Sequence, residues 1–183
     1  MDLKSYAKKE KIKYFMVTYT DLFGVQRAKL VPSSAISDMQ KDGAGFAGFA
    51  SWLDMTPAYP DMLALPDPQS VIKLPWKKDV AWLASNCIME DKLVEQAPRN
   101  VLNKAIARAK KSNMRVKTGV EAEFFLLTAD GSAISDPYDN AEKPCYDQQA
   151  LMRRYDVIAE ICDYLGELGW GPYQNDHEDA NGQ

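Results

Sequence analysis

The chain has 183 residues, of which 46% are hydrophobic and 26% are charged, as is typical of soluble globular proteins. Its net charge of −4 and its lack of a basic block argue against binding to nucleic acid or to an anionic membrane. No apolar run approaches the ~18 residues of a membrane span, and the first residues lack the apolar core of a secretory signal. Three separated cysteines without CxxC spacing predict a reduced, cytoplasmic protein without a disulfide framework or a zinc site.

The first half of the chain is predicted to form a small mixed sheet with peripheral helices. Helical spacing of apolar residues, runs of β-forming residues and turn signals define its elements. In chain order these are a helix over 2–11, a β-hairpin with strands 14–20 and 25–31, a helix that begins near Pro32 and ends at Gly43, a long irregular loop over 43–62, and strands over 71–74 and 80–88. Loops of that length are usually functional or mobile.

A second α/β or α+β unit is predicted from residue 96 onward. Pro98 suits the first turn of a helix, and Gly169 suits the residue after a helix end. The predicted elements are a helix over 98–111, a strand over 114–128, a helix over 150–168 and a strand over 170–176. The apolar stripe of the first of these helices is Val101, Leu102, Ala105, Ile106 and Ala109. The order predicts a unit that does not close its sheet within these residues.

Two glutamates in the sequence GVEAEFFLL are the first candidate ligands. Because side chains alternate along a strand, Glu121 and Glu123 share a face with Phe125 and Leu127. That face turns apolar within two residues, which predicts two carboxylates at the mouth of a buried region. Adjacent carboxylates repel unless a cation lies between them, and Mg²⁺ or Mn²⁺ prefers such oxygens. The alternative is an ordinary edge strand whose glutamates reach water.

A second acidic group, Asp176-His177-Glu178-Asp179, lies near the last residue. A continuing strand would place Asp176 and Glu178 on one face. His177 is the only histidine, so any imidazole role within this chain falls to it. The alternative is that His177 is a cap or turn residue in an acidic loop, and Asn181-Gly182 is itself a turn signal. The sequence matches no EF-hand loop, Walker A motif or GxGxxG motif.

Together, GVEAEFFLL and DHEDANGQ resemble the glutamine synthetase family, which carries a G-x-E-x-E-F strand and an H-E-x-x-x-G-Q segment. The resemblance covers essentially the whole chain and is nearest to type III-like glutamine synthetases and γ-glutamylmethylamide synthetases. Further matching segments are GVQRAKLVP, Asp61–Asp67, Ala97-Pro98-Arg99 and Lys143-Pro144-Cys145-Tyr146.

The resemblance implies an α+β fold, with an N-terminal β-grasp domain over 1–95 and the incomplete beginning of a catalytic α/β domain over 96–183. It implies an ATP-dependent ligase that joins glutamate to ammonia or a small amine through γ-glutamyl phosphate. Mg²⁺ or Mn²⁺ is the implied cofactor and ATP a co-substrate. The implied partners are these small molecules and further copies of the chain in a ring, a dodecamer for the whole protein. The family site forms between subunits, so these 183 residues alone are expected to be inactive and poorly folded.

The resemblance also implies residue roles. Glu123 and Glu178 match ligands of the metal nearest glutamate, which makes Glu178 the predicted catalytic residue as well. Glu121 matches a ligand of the metal nearest the nucleotide, and Tyr146 matches a residue of the amine site. The remaining ligands are expected beyond Gln183. Intact glutamates argue against the other reading, a non-catalytic relative with a role in assembly or regulation.

One position departs from the family pattern. Ammonia-using members carry F-D-G-S-S, whose aspartate binds ammonium, whereas this chain has Ala47 at the aspartate position. An alanine cannot attract a hydrated cation, and a more apolar pocket favours a methylated amine by about 0.8 kcal/mol per buried methylene. The departure predicts methylamine as an alternative substrate. In the other interpretation, Asp54 replaces the missing carboxylate.

Overall fold

The computed structural model describes residues 1–183, which divide into two compact units, Met1–Lys117 and Thr118–Gln183. The helices are α1 (Leu3–Glu10), α2 (Ile36–Asp42), α3 (Pro98–Lys111), α4 (Gln148–Arg153) and α5 (Tyr155–Glu167). The strands are β1 (Tyr14–Thr20), β2 (Gln26–Pro32), β3 (Ala44–Phe46), β4 (Met62–Pro66), β5 (Ile72–Lys73), β6 (Val80–Met89) and β7 (Lys92–Leu93). The predicted α+β class is confirmed. None of the helices combines the length and the apolar character that crossing a membrane requires.

The first unit is built on one seven-stranded sheet with the order β2-β1-β6-β4-β3, and β5 and β7 also pair with β6. Strand β1 is antiparallel to β2 and parallel to β6. The long strand β6 pairs with β1 and β5 along its first half and with β4 and β7 along its second half. It therefore organises the sheet.

The core of the first unit lies between this sheet and helices α1 and α2. Phe15 of β1, Leu83 of β6, Leu3 of α1 and Ile36 of α2 are completely buried. Each such side chain contributes roughly 1.5–3 kcal/mol relative to an exposed position. Helix α1 is capped by Asp2, whose Oδ2 accepts a hydrogen bond of 2.8 Å from Ser5 N–H.

The turn of the predicted hairpin is organised by the buried carboxylate of Asp21. Its Oδ1 accepts hydrogen bonds from Phe23 N–H (2.8 Å) and Val25 N–H (2.9 Å), and its Oδ2 accepts one from Arg27 Nε (2.8 Å). Burial acts to raise the pKa of Asp21, but the hydrogen bonds from Arg27, Val25 and Phe23 outweigh it, and the pKa lies below its usual value. The ionised carboxylate thus fixes the turn between β1 and β2.

The hairpin also holds the segment that follows α2. Tyr19 Oη donates to Ser51 O at 3.0 Å, and Leu22 N–H donates to Trp52 O at 3.2 Å. The Trp52 ring meets Phe23 edge-on at a centroid distance of 5.6 Å. The long loop predicted over 43–62 is therefore anchored, and the prediction of a wholly irregular loop was wrong because its first residues form β3 against β4. Alanine and glycine are poor strand formers, so only the partner strand reveals β3.

Two predicted strands are absent. Residues 114–126 and 170–176 form no strand. Next to the first of these segments, Leu127 forms an isolated β-bridge with Ile134. A strand needs a neighbour to receive its backbone hydrogen bonds, and no strand among residues 1–183 pairs with either segment.

The predicted helices are present with two differences. Helix α3 begins at Pro98 and ends at Lys111 as predicted, but its apolar stripe is largely exposed, including Val101, Leu102 and Ile106. Its anchor in the first unit is the buried Asn100, whose Nδ2 donates to Cys87 O and Val94 O at 2.8 Å each. The helix predicted over 150–168 is interrupted at Arg154, between α4 and α5.

The predicted domain boundary between residues 95 and 96 stays a prediction. All seven strands precede it, whereas α3 follows it and packs within the first unit.

Candidate functional site

Three separate segments of the second unit are joined by backbone hydrogen bonds. Leu126 N–H donates to Gly182 O at 2.9 Å, and Ser135 N–H donates to Leu126 O at 2.8 Å. Tyr146 N–H donates to His177 O at 2.9 Å. These contacts bring together the segments that carry the predicted site residues Glu123, Tyr146 and Glu178.

Gln183 connects the two glutamates that the family resemblance assigns to one metal. Its Nε2 donates to Glu123 Oε2 at 3.0 Å, and its backbone carbonyl accepts a hydrogen bond of 3.1 Å from Glu178 N–H. A turn bond of 3.0 Å from Gln183 N–H to Ala180 O closes the loop. The carboxylate of Glu123 is therefore tied through one residue to the backbone of Glu178.

Tyr146 lies in the same region with its ring 76% exposed. The neighbouring Cys145 raises the pKa of its hydroxyl most, and the carboxylates of Asp176 and Glu178 raise that pKa further. The backbone hydrogen bond from Tyr146 N–H to His177 O brings Tyr146 beside the loop of Glu178. Its backbone has a positive φ of 65°, an uncommon conformation for a non-glycine residue.

The surroundings of Glu121 and Glu123 differ from the prediction. Both glutamates are exposed, as are the apolar residues around them, with Val120 88% exposed and Phe125 52% exposed. The expectation that they lie at the mouth of a buried region was wrong, because segment 114–126 has no neighbouring strand to cover it. No hydrogen bond or ion pair joins Glu121 to Glu123 or Glu178.

The carboxylate oxygens of these glutamates are suitable ligands for a divalent metal, but their spatial arrangement does not form a metal site. Carboxylate oxygens are the ligands that Mg²⁺ and Mn²⁺ prefer, and Glu178 is half-buried. However, no group of three or more histidine, cysteine, aspartate or glutamate side chains is placed to hold a metal ion. These residues therefore do not form a complete metal centre by themselves.

His177 has a structural position. The side chain is 93% buried, and both ring nitrogens face acceptors: Glu178 O lies 2.7 Å from Nδ1, and Asp139 Oδ2 lies 2.8 Å from Nε2. Both partners are oxygen atoms, so a proton on either ring nitrogen is donated to one of them. Burial acts to lower the pKa of His177, but the hydrogen bonds to Asp139 and Glu178 outweigh it and raise that pKa. This arrangement favours the interpretation of His177 as a turn residue.

Asp139 and Asp136 are buried carboxylates that the sequence did not single out. Asp139 accepts hydrogen bonds from the His177 ring, from Asn181 Nδ2 at 3.1 Å and from Gly182 N–H. Asp136 accepts from Arg153 Nε at 2.6 Å. The Asp-Pro sequence at 136–137 is a turn signal, but these partners lie 17 to 43 residues away, so no local pattern identifies them.

Ala47, the altered position, lies in the first unit. It is half-buried and precedes a short 3₁₀ turn over Gly48–Ala50, and its carbonyl accepts a hydrogen bond of 3.1 Å from Ala50 N–H. Asp54, the alternative carboxylate, is exposed and has a positive φ of 57°. Both residues belong to the segment anchored by the hairpin.

Comparison with known proteins gives consistent matches. The family model described as "Glutamine synthetase, catalytic domain" matches residues 95–183. Over all 183 residues the chain is 72% identical to a protein named glutamine synthetase from Rhizobium leguminosarum bv. phaseoli. It is 34% identical over 186 aligned residues to a protein named glutamate–methylamine ligase from Methyloversatilis universalis. In each case the whole chain is covered, together with 42% of the relative's length.

A solved structure described as "GmaS/ADP complex-Conformation 1" superposes with a TM-score of 0.95 at 62% identity, covering 99% of this chain and 42% of that one. The chain thus spans less than half the length of these relatives. Its matched segments nevertheless include the motif residues Glu121, Glu123 and Glu178 within residues 95–183. Residues 95–183 therefore belong to the glutamine synthetase catalytic-domain family, and the whole chain is similar to a protein named glutamine synthetase.

Proposed function

We propose that this chain is part of an ATP-dependent ligase that joins glutamate to ammonia or a small amine. In the proposed reaction, the γ-phosphoryl group passes from ATP to the side-chain carboxylate of glutamate, and ADP leaves. The amine nitrogen then attacks the γ-carbonyl carbon, the carbon–oxygen bond to phosphate breaks, and the amine loses a proton. The products are ADP, phosphate and a γ-glutamyl amide.

The observation that supports this function most directly is the connection of Glu123, Glu178 and Tyr146 in the second unit. Gln183 ties Glu123 to the loop of Glu178, and Tyr146 N–H donates to the carbonyl of His177, the residue before Glu178. Family membership adds the reaction class. We assign Glu123 and Glu178 to the metal near glutamate, Glu121 to the metal near the nucleotide, and Tyr146 to the amine site.

A bound Mg²⁺ or Mn²⁺ would offset negative charge on the transferring phosphoryl group. This chain would supply carboxylate ligands to such an ion, and other donors would have to complete its coordination, because residues 1–183 assemble no group of three. For the same reason we expect the 183 residues alone to show no turnover.

The test is glutamate-dependent ADP release by the natural protein, expressed from its whole reading frame with Mg²⁺. Replacing Glu123 with glutamine should lower kcat by roughly 100-fold or more, since metal stabilisation is worth several kcal/mol. Glu142→Gln is the matched control, because Glu142 is an exposed glutamate of the same unit with no assigned role. Absence of turnover in the unmodified protein would favour the non-catalytic alternative.

Methylamine is a second candidate substrate, and Ala47 is the observation that favours it. No carboxylate occupies this position, and the name of one relative specifies methylamine. We expect Ala47→Asp to raise the ratio of ammonium to methylamine kcat/KM. If Asp54 fills the role instead, Asp54→Asn will lower ammonium use and Ala47→Asp will leave the ratio unchanged.

We further propose that residues 1–95 form a β-grasp domain and that residues 96–183 begin the catalytic domain. All seven strands with α1 and α2 lie in the first range, and the family model begins at residue 95. We also propose a cytoplasmic, ring-shaped homo-oligomer. Mass measurement of the whole natural protein in solution, followed by imaging of the particles, tests the dodecamer.

A further inference from the structure

Asp139 is a buried carboxylate with three hydrogen-bond donors. Its side chain is 96% buried. Oδ2 accepts from His177 Nε2 at 2.8 Å and from Gly182 N–H, while Oδ1 accepts from Asn181 Nδ2 at 3.1 Å. Burial acts to raise the pKa of Asp139, but these donors, led by His177, outweigh it and lower that pKa. All three donors belong to one short segment, 177–182.

This segment contains Glu178, and both the N–H and the carbonyl of Glu178 make hydrogen bonds. Glu178 O accepts from His177 Nδ1 at 2.7 Å, and Glu178 N–H donates to Gln183 O at 3.1 Å. The His177 ring therefore bridges the Asp139 carboxylate and the Glu178 carbonyl. A shift of the His177 ring away from Asp139 would release the backbone from which the Glu178 side chain projects.

The other end of the segment reaches the second glutamate. Gly182, whose N–H donates to Asp139, accepts through its carbonyl from Leu126 N–H at 2.9 Å. The next residue, Gln183, donates from Nε2 to Glu123 Oε2 at 3.0 Å. Hydrogen bonds thus connect Asp139 with both glutamates, with Glu178 through His177 and with Glu123 through Gly182 and Gln183.

We propose that Asp139 is a positioning residue that fixes segment 177–182 and so sets the relative placement of Glu123 and Glu178. The inference rests on the proposed function for its chemical meaning, because those glutamates are assigned there to one metal. Asp139 contacts neither the substrates nor the metal in this scheme. Groups that orient metal ligands from outside the coordination shell typically change metal affinity by 10–100-fold.

The test variant is Asp139→Asn in the whole natural protein. The carboxylate uses both oxygens as acceptors, whereas an asparagine has one acceptor oxygen and must turn its NH₂ group toward at least one donor. Asp136→Asn is the matched control. Asp136 is also a buried carboxylate of this unit, with an ion pair of 2.6 Å to Arg153, but it makes no hydrogen bond to segment 177–182.

Two measurements separate positioning from general stability. The first is hydrogen–deuterium exchange of the peptide that covers 176–183, without metal. The second is Mn²⁺ affinity, measured by electron paramagnetic resonance. We expect Asp139→Asn to increase exchange in that peptide at least tenfold and to weaken Mn²⁺ binding roughly 10–100-fold. Asp136→Asn should lower the unfolding temperature with less than a twofold change in either measurement.

The outcomes are distinguishable. Unchanged exchange in Asp139→Asn would overturn the positioning role whatever the metal result. Changed exchange with unchanged Mn²⁺ affinity would overturn the link to the glutamates. If the unmodified protein binds no Mn²⁺ or Mg²⁺, the proposed function fails, and the positioning of the Glu178 backbone is decided by exchange alone. Equal effects of Asp136→Asn and Asp139→Asn on both measurements would reduce Asp139 to a structural residue.

Discussion

Replacing Gly182 with alanine should destabilise the second unit through two separable effects. Gly182 has a φ of +82°, and an added Cβ would lie 2.5 Å from Ile134 Cγ2 and 2.8 Å from Ile134 Cβ. The left-handed backbone conformation costs an L-residue about 1–2 kcal/mol, and overpacking costs about 1–3 kcal/mol. The free energy of unfolding should therefore fall by about 2–5 kcal/mol.

Urea unfolding followed by circular dichroism measures this change, and the chain offers a matched control. Gly131 also has a positive φ, +71°, but an added Cβ would meet nothing within 4 Å. Gly131→Ala should therefore show only the backbone effect of about 1–2 kcal/mol. Shortening Ile134 to alanine in the Gly182→Ala background should relieve the contact and recover part of the loss relative to Ile134→Ala alone.

The reasoning is refuted if Gly182→Ala and Gly131→Ala destabilise the protein equally, because the contact with Ile134 would then cost nothing. It is also refuted if the double variant is no better than the sum of the two single changes. In either case the Gly182 turn would be loose enough to move away from Ile134, and the hydrogen bonds of its N–H and carbonyl would not hold the segment.

Three further predictions concern the first unit. Because the pKa of Asp21 is lowered in the folded state, the stabilisation by its carboxylate is fully present above the unfolded value of about 3.9 and is lost as pH falls through the folded value. Asp21→Asn should therefore lower the unfolding midpoint in urea at pH 7, and this effect should shrink as the pH is lowered below the unfolded value. Asn100→Ala removes the donor for two backbone carbonyls and should cost about 1–3 kcal/mol in urea unfolding, whereas equal stability would mean that water replaces the amide. Burial raises the pKa of Cys87 to about 12, so a thiol reagent at pH 8 should modify it only after denaturant is added, and rapid modification in buffer would contradict the buried position.

The helices and strands that were predicted correctly are those whose sequence signals lie within the element itself or next to it. Helix α1 follows from its spacing and the Asp2 cap, the β1–β2 hairpin from its alternating strands and the turn at Asp21, and α3 from Pro98 at its first turn. Each of these signals acts over a few residues, so it can be read from the sequence. The wrongly predicted strands over 114–128 and 170–176 had suitable residues, but a strand also depends on a hydrogen-bonding neighbour that local sequence does not specify.

The candidate site shows the same division. The glutamates could be selected from the sequence because GVEAEFFLL and DHEDANGQ together resemble the motifs of one family, although their assigned roles stay predictions. The hydrogen bond from Gln183 to Glu123 spans 60 residues, and the bond between His177 and Asp139 spans 38. Such contacts arise only when distant segments meet, and aspartate is too common in turns for Asp139 to be distinctive.

Because segment 43–62 is anchored to the hairpin, the position of Ala47 depends on residues outside that segment. Ser51 and Trp52 are fixed by Tyr19 and Leu22, residues of a strand and a turn formed earlier in the chain. Ala47 lies in this anchored segment, so contacts with the hairpin help to fix its position. Under the proposed role of Ala47, substitutions in the β1–β2 turn would alter the choice of amine from a distance, and a search for selectivity variants confined to the neighbours of Ala47 would miss them.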